Sequence, residues 1–259
     1  MPRFAANLTM LFTERPFLER FAAARAAGFD AVEFLFPYAW PAEQIKALLD
    51  EHQLQLVLHN LPAGDWDAGE RGIACHPRRV TEFRDGVAQA IGYAKTLGVT
   101  QLNCLIGKTP SDASRLQIDQ TVIENLRYAV HELKAHGIRL LIEPINTMDI
   151  PGFDLHHTAQ ALALIDKVGS DNLFLQYDIY HMQRMEGEIT ATLSQHLPRI
   201  AHVQTASNPG RHEPGTGELN DRFVFQHLDA IGYTGWIGCE YKPAANTEDG
   251  LGWLKTLTH

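Results

Sequence analysis

Four short apolar runs, each with one polar residue near its C-terminal end, constrain this chain more than any other feature. RLLIEPIN (139–146) carries Glu143, LFLQYDI (173–179) carries Asp178, IAHVQTA (200–206) carries Gln204, and WIGCEYK (236–242) carries Glu240. Runs this short and this apolar read as parallel strands buried on both faces. Their polar residues recur every 26 to 36 positions, which is room for one strand, one helix and two loops. A carboxylate inside such a strand is costly unless something compensates it.

The remaining segments extend the repeat. Strands are expected at 4–8, 31–36, 54–60 and 101–106, ahead of the four runs above. Helical spacing of apolar residues intervenes at 13–27, from Ile45 to Leu49, from Val80 to Leu97, from Ile123 to Leu133 and at 161–168. Further helical pieces follow near 223–231 and 247–257. Gly28, Gly98, Gly137 and Gly169 stand where four of these helices should stop. Strict alternation implies a parallel sheet, and eight units imply closure into a (β/α)₈ TIM barrel. The length of 259 residues suits one such barrel, about 250 residues, so 1–259 is expected to form a single catalytic domain. An open doubly wound sheet is the alternative, but no G-x-G-x-x-G follows the first strand.

Barrels of this type hold their active sites at the C-terminal strand ends. Glu143, Asp178, Gln204 and Glu240 all fall there. Three carboxylates and an amide converging suit a hard divalent cation with oxygen ligands, Mg²⁺ or Mn²⁺ rather than zinc. The competing reading, polar strand ends bonded to loops, holds easily for one residue and poorly for four. Strand parity sends Ile142, Ile237 and Cys239 outward when the glutamates face inward. His202 shares the parity of Gln204 and is expected to pack beneath it.

Around this set, His181, in the loop expected just beyond Asp178, and His59, near the end of the third strand, are candidate substrate contacts. Arg211, in the loop NPGRHEPGTGE, is a candidate clamp for an anionic substrate. Lys108, Arg71 and Lys242 are weaker candidates for the same role. The Gly-rich segment 61–77 is long for a barrel loop, which points to function, and its Glu70 and Trp66 are candidates to close over a ligand.

Composition excludes several classes. The net charge of −9 argues against a nucleic-acid partner. No apolar run approaches the ~20 residues of a membrane span, and the N-terminal residues lack signal architecture. Three cysteines with no zinc spacing fit a reduced, cytoplasmic protein. A small-molecule substrate is expected, in a homo-oligomer. No P-loop, H-E-x-x-H or Ser/His/Asp order appears.

The segments FAANLTMLF, FDAVEFLFPY, NCLIGKTP, LLIEPIN, LQYDIYHMQRMEGE, EPGTGELN and WIGCEYKP together resemble the xylose-isomerase-like barrel superfamily. Within it they resemble the hydroxypyruvate isomerase family, along essentially the whole chain. The resemblance implies Glu143, Asp178, Gln204 and Glu240 as metal ligands, and Glu143 and Glu240 as the proton donor and acceptor. The third ligand of the superfamily is usually His; Gln204 matches the hydroxypyruvate and 2-oxo-tetronate isomerase branch. The implied activity is interconversion of hydroxypyruvate and 2-hydroxy-3-oxopropanoate through an enediolate, assisted by Mg²⁺. A 2-oxo-tetronate isomerase is the nearer alternative. A metal-dependent hydrolase of the same barrel type acting on abasic DNA is the remote one.

Overall fold

The computed structural model describes residues 2–258. Its strands are β1 (Arg3–Asn7), β2 (Ala31–Glu33), β3 (Gln55–Asn60), β4 (Gln101–Cys104), β5 (Arg139–Ile142), β6 (Leu173–Asp178), β7 (Ile200–Thr205) and β8 (Trp236–Cys239). All pair in parallel, each with its sequence neighbours, and β8 closes on β1 as the expected barrel. The helices are α1 (Arg20–Ala26), α2 (Ala42–Glu51), α3 (Val80–Leu97), α4 (Arg115–Lys134), α5 (Thr158–Val168), α6 (Ile179–Met185), α7 (Ile189–His196), α8 (Asp221–Ala230), α9 (Thr247–Gly250) and α10 (Trp253–Thr256).

Two apolar layers hold the barrel. The larger lies between strands and helices and includes Ile142, Ile237 and Cys239, the residues that strand parity sends outward. The smaller fills the barrel with Ala5, Ala31, Val57 and Leu141. Two residues further along β1, β2 and β5 come Asn7, Glu33 and Glu143. The two-residue period of a strand keeps them on the inner side, so an apolar plug is capped by a polar layer.

Two expectations need correction. The first helix was expected from residue 13 but starts at Arg20, because Pro16 is extended (φ −54°, ψ 148°) and a single 3₁₀ turn, Phe17–Glu19, leads in. His181 was expected in a loop after β6 but lies in α6, which begins immediately: the Asp178 carboxylate accepts the Tyr180 N–H at 2.8 Å and caps the helix. The segment 61–77 contains no strand or α-helix.

Candidate active site

At the C-terminal mouth of the barrel a cavity of about 350 Å³ reaches Asn7, Glu33, Glu143, Gln204, Arg211 and Glu240. A larger cavity, about 430 Å³, opens at the opposite mouth, but its walls include no carboxylate. The chemistry-bearing groups therefore mark the first.

β5 and β8 each end one residue before their glutamate, so Glu143 and Glu240 project from the rim, while Asp178 ends β6 and Gln204 lies within β7. Asp178 and Gln204 are register partners, as are Gln204 and Gly238 of β8. All four polar side chains are buried. Asn103 Nδ2 donates to Glu143 Oε2 at 2.9 Å. Arg211 Nη2 stands 3.3 Å from both Asp178 Oδ2 and Glu240 Oε1, and its Nε donates to the Glu240 carbonyl at 3.1 Å.

Burial, reinforced by Glu240 and Asp178, raises the Glu143 carboxyl well above the usual range. Burial raises Glu240 to about 8, with Arg211 pulling the other way. Asp178 is raised by burial and likewise opposed by Arg211. One guanidinium thus faces three buried acids, a deficit of positive charge. Glu143, Asp178 and His181 each offer a ligand atom within 4.8 Å of one another. Such a donor set is compatible with a divalent cation.

His181 Nε2 lies 3.4 Å from Asp178 Oδ2 and 3.8 Å from Glu143 Oε1. Its Nδ1 is 2.7 Å from Asn146 Nδ2. An amide nitrogen only donates, so the ring proton sits on Nε2 and points at the acids. Burial, and then Arg211, keep this imidazole neutral by pushing its pKa well below the usual value.

The other candidates are placed differently. His59 is buried, with Nδ1 3.1 Å from the Asn60 carbonyl and its ring parallel to Phe34. Burial lowers its pKa to about 4. Glu70 pairs with Arg79 and accepts the Asp65 N–H, so it braces its own loop. Lys108 Nζ donates to the Gly69 carbonyl at 2.9 Å, tying that loop to the one after β4. His59, Glu70 and Lys108 do not line the cavity, whereas Trp66, Arg71 and Lys242 do.

Two groups escaped the sequence reading. Glu33 is a fully buried carboxylate on the cavity wall, bonded to Asn7, His202 and Gln204. Its only signal was an acid inside the apolar run AVEFLF, the same signal that marks Glu143. Asp149 accepts from Tyr180 Oη at 2.7 Å and Asn146 Nδ2 at 3.0 Å, and pairs with Arg184. Burial opposes ionisation of Asp149, but bonds from Asn146, Arg184 and Tyr180 lower it to about 2. It thereby anchors the amide that orients His181.

Residues 21–257 match the family described as xylose isomerase-like TIM barrel. The chain is 58% identical to hydroxypyruvate isomerase of Escherichia coli K12 over 254 residues, covering 98% of both proteins. It is 48% identical to 2-oxo-tetronate isomerase of Cupriavidus necator, again over 98% of each. A crystal structure from Brucella melitensis, described as an AP endonuclease, family 2, superposes with a TM-score of 0.96 at 47% identity, covering 99% of each chain.

Proposed function

The chain belongs to the xylose isomerase-like TIM barrel family, and we propose that it interconverts hydroxypyruvate and 2-hydroxy-3-oxopropanoate. The observation that carries this reading is the pair Glu143 and Glu240, two buried acids facing one cavity from strands three apart in the ring. The 58% identity to a hydroxypyruvate isomerase supports it.

The reaction moves a carbonyl between adjacent carbons. A carboxylate takes a proton from C3 of hydroxypyruvate, and the C–H electrons form the C2–C3 double bond of an enediolate. A proton then returns to C2, while the hydroxyl proton on the C3 oxygen passes to the C2 oxygen. Glu143 and Glu240 are the groups placed to remove and return the carbon-bound proton. His181 Nε2–H is aimed at the acids and can donate to a substrate oxygen between them. The apolar walls from Trp66, Phe34 and Ile145 limit water at the site.

Glu143, Asp178, Gln204 and Glu240 would hold a divalent cation, Mg²⁺ in our reading, which when bound would offset charge developing on the substrate oxygens and keep the acids ionised. The unpaired, buried cysteines 75, 104 and 239 support a cytoplasmic setting. No helix among the described residues is long and apolar enough to cross a membrane.

The 48% identity to a 2-oxo-tetronate isomerase favours a four-carbon substrate as the second reading. Side-by-side kinetics decide between them. A higher kcat/KM for hydroxypyruvate is expected, and a preference for 2-oxo-tetronates would overturn the assignment. The negative charge of the chain weighs against a DNA substrate.

A further inference from the structure

We propose that Glu33, absent from the reaction scheme above, is a positioning residue that fixes the orientation of the Gln204 amide at the site. The inference rests on the metal-dependent reading of the cavity.

Glu33 ends β2 and is fully buried. Its Oε1 accepts from Gln204 Nε2 at 2.7 Å and from Asn7 Nδ2 at 2.9 Å. Its Oε2 lies 2.6 Å from His202 Nε2. Every one of these contacts brings a donor to the carboxylate, as an acceptor-only group requires. Gln204 itself sits in a chain of amides: Gln176 Nε2 donates to Gln204 Oε1 at 2.6 Å.

The two ends of a primary amide have nearly the same shape, so packing alone does not choose between them. Glu33 does. A reversed Gln204 would turn its oxygen onto a carboxylate in a buried site, a repulsion that no rotation of the Gln176 amide relieves. Only the amide oxygen can ligate a hard cation. By taking the nitrogen end, Glu33 leaves the oxygen, with the lone pair that Gln176 does not use, for the role assigned to Gln204.

The backbone is shaped around this contact. Gly238, the register partner of Gln204, lies against the Glu33 carboxylate so closely that any Cβ there would collide with it. The same geometry explains why position 204 holds an amide and not a third glutamate: a carboxylate there would face Glu33 with no donor between them.

The test titrates Mn²⁺ calorimetrically into wild-type protein, Glu33→Leu, Gln204→Glu and the double variant Glu33→Gln/Gln204→Glu, with thermal melts on the same samples. Glu33→Leu, which leaves no acceptor for the Gln204 nitrogen, should bind Mn²⁺ roughly 10- to 100-fold more weakly, the usual cost of losing a group that orients a ligand. Gln204→Glu should bind poorly and melt early. The double variant, which restores one acid and one amide, should recover both properties relative to Gln204→Glu. A folded Glu33→Leu with a lower Tm and an unchanged Mn²⁺ Kd overturns the proposal, because that is the signature of a purely structural residue. If Glu33→Leu fails to fold, the other two variants decide: no gain on adding Glu33→Gln to Gln204→Glu overturns it equally. Wild-type protein that takes up no Mn²⁺ is a separate result, and sinks the metal-dependent reading itself.

Discussion

The guanidinium of Arg71 lies 3.9 Å from the centre of the Trp66 ring. Both side chains line the cavity from the loop after β3. Arg71 donates to the backbone carbonyls of Trp66 and Glu70, and no acidic side chain among the described residues pairs with it. Arg211, by contrast, is already shared between Asp178 and Glu240. A substrate carboxylate needs a cation that is not already neutralised. Arg71→Ala is therefore expected to raise KM roughly 10- to 100-fold, since a hydrogen bond to a charged group is worth about 1.5–3 kcal/mol, with a smaller change in kcat. Arg71→Lys should recover part of the loss. Arg211→Ala should instead lower kcat, because it strips the acids of their counter-charge. Steady-state kinetics of the three variants check this, and an unchanged KM in Arg71→Ala would return the clamp to Arg211 or Lys242.

The loop that carries Trp66 and Arg71 is seated by a close backbone contact. Gly72 has φ +115°, and a Cβ there would run into the Leu105 carbonyl and the Gly107 nitrogen. Gly72→Ala combines that clash with a backbone conformation costing about 1–3 kcal/mol for other residues. Thermal denaturation should show a Tm lower by several degrees, at about 2–4 °C per kcal/mol for a chain near this size. KM should rise with it, because the loop can no longer close on the strand β4 connection. A lower Tm with normal KM would separate the loop's seating from substrate binding.

The barrel was legible in the sequence because each strand is an apolar run and each polar exception falls near its end. The boundaries were less legible. Ladder pairing ends at Ile142 and Cys239, while the runs in the sequence continue past both, so the runs around Glu143 and Glu240 look longer than the strands they contain. Pro16 shortened the first helix in a way that apolar spacing does not register. Glu33 was missed for a different reason: its partners His202 and Gln204 are 169 and 171 residues away in sequence. Their meeting depends on ring closure across the barrel, and no local pattern encodes it. The pairing of Arg211 with two acids was hidden in the same way.

Proton linkage follows from the raised acids. In metal-free protein, burial and like charge raise Glu143, and burial raises Glu240 to about 8. Between about pH 4.5, where such acids ionise in the unfolded chain, and about pH 8, the folded state binds more protons than the unfolded state. Stability then falls as pH rises through this window. The Tm of metal-free protein should decline from about pH 5 to about pH 8, and Mn²⁺ should flatten the decline. Cation binding near neutral pH should also release protons, measurable by calorimetry in buffers of different ionisation enthalpy. A metal-free Tm that climbs steadily across the same range would contradict the linkage.

The two glutamates can be separated by replacing each with its amide. Glu143→Gln and Glu240→Gln keep an oxygen able to ligate a cation but remove the carboxylate that can accept a proton. The surroundings differ: Glu143 Oε2 already accepts from Asn103 Nδ2, so a glutamine at 143 can keep its oxygen there and turn its nitrogen towards the cavity. Glu240 Oε1 faces Arg211 Nη2 at 3.3 Å, which should hold a glutamine oxygen in that place. Each variant should lose kcat by roughly 10²–10⁴, the usual worth of a positioned acid or base, with KM changed far less. Metal content must be measured on the same preparations, because Glu143→Gln is the more exposed to losing its cation. Wild-type protein turning over in D₂O should carry solvent deuterium into the carbon that gains hydrogen. Shielded return of the original proton would lower that incorporation without restoring kcat to the variants. A glutamine variant with its metal in place and near-normal kcat removes that glutamate from proton transfer. Fully active variants together with no deuterium uptake point instead to a hydride shift between the two carbons.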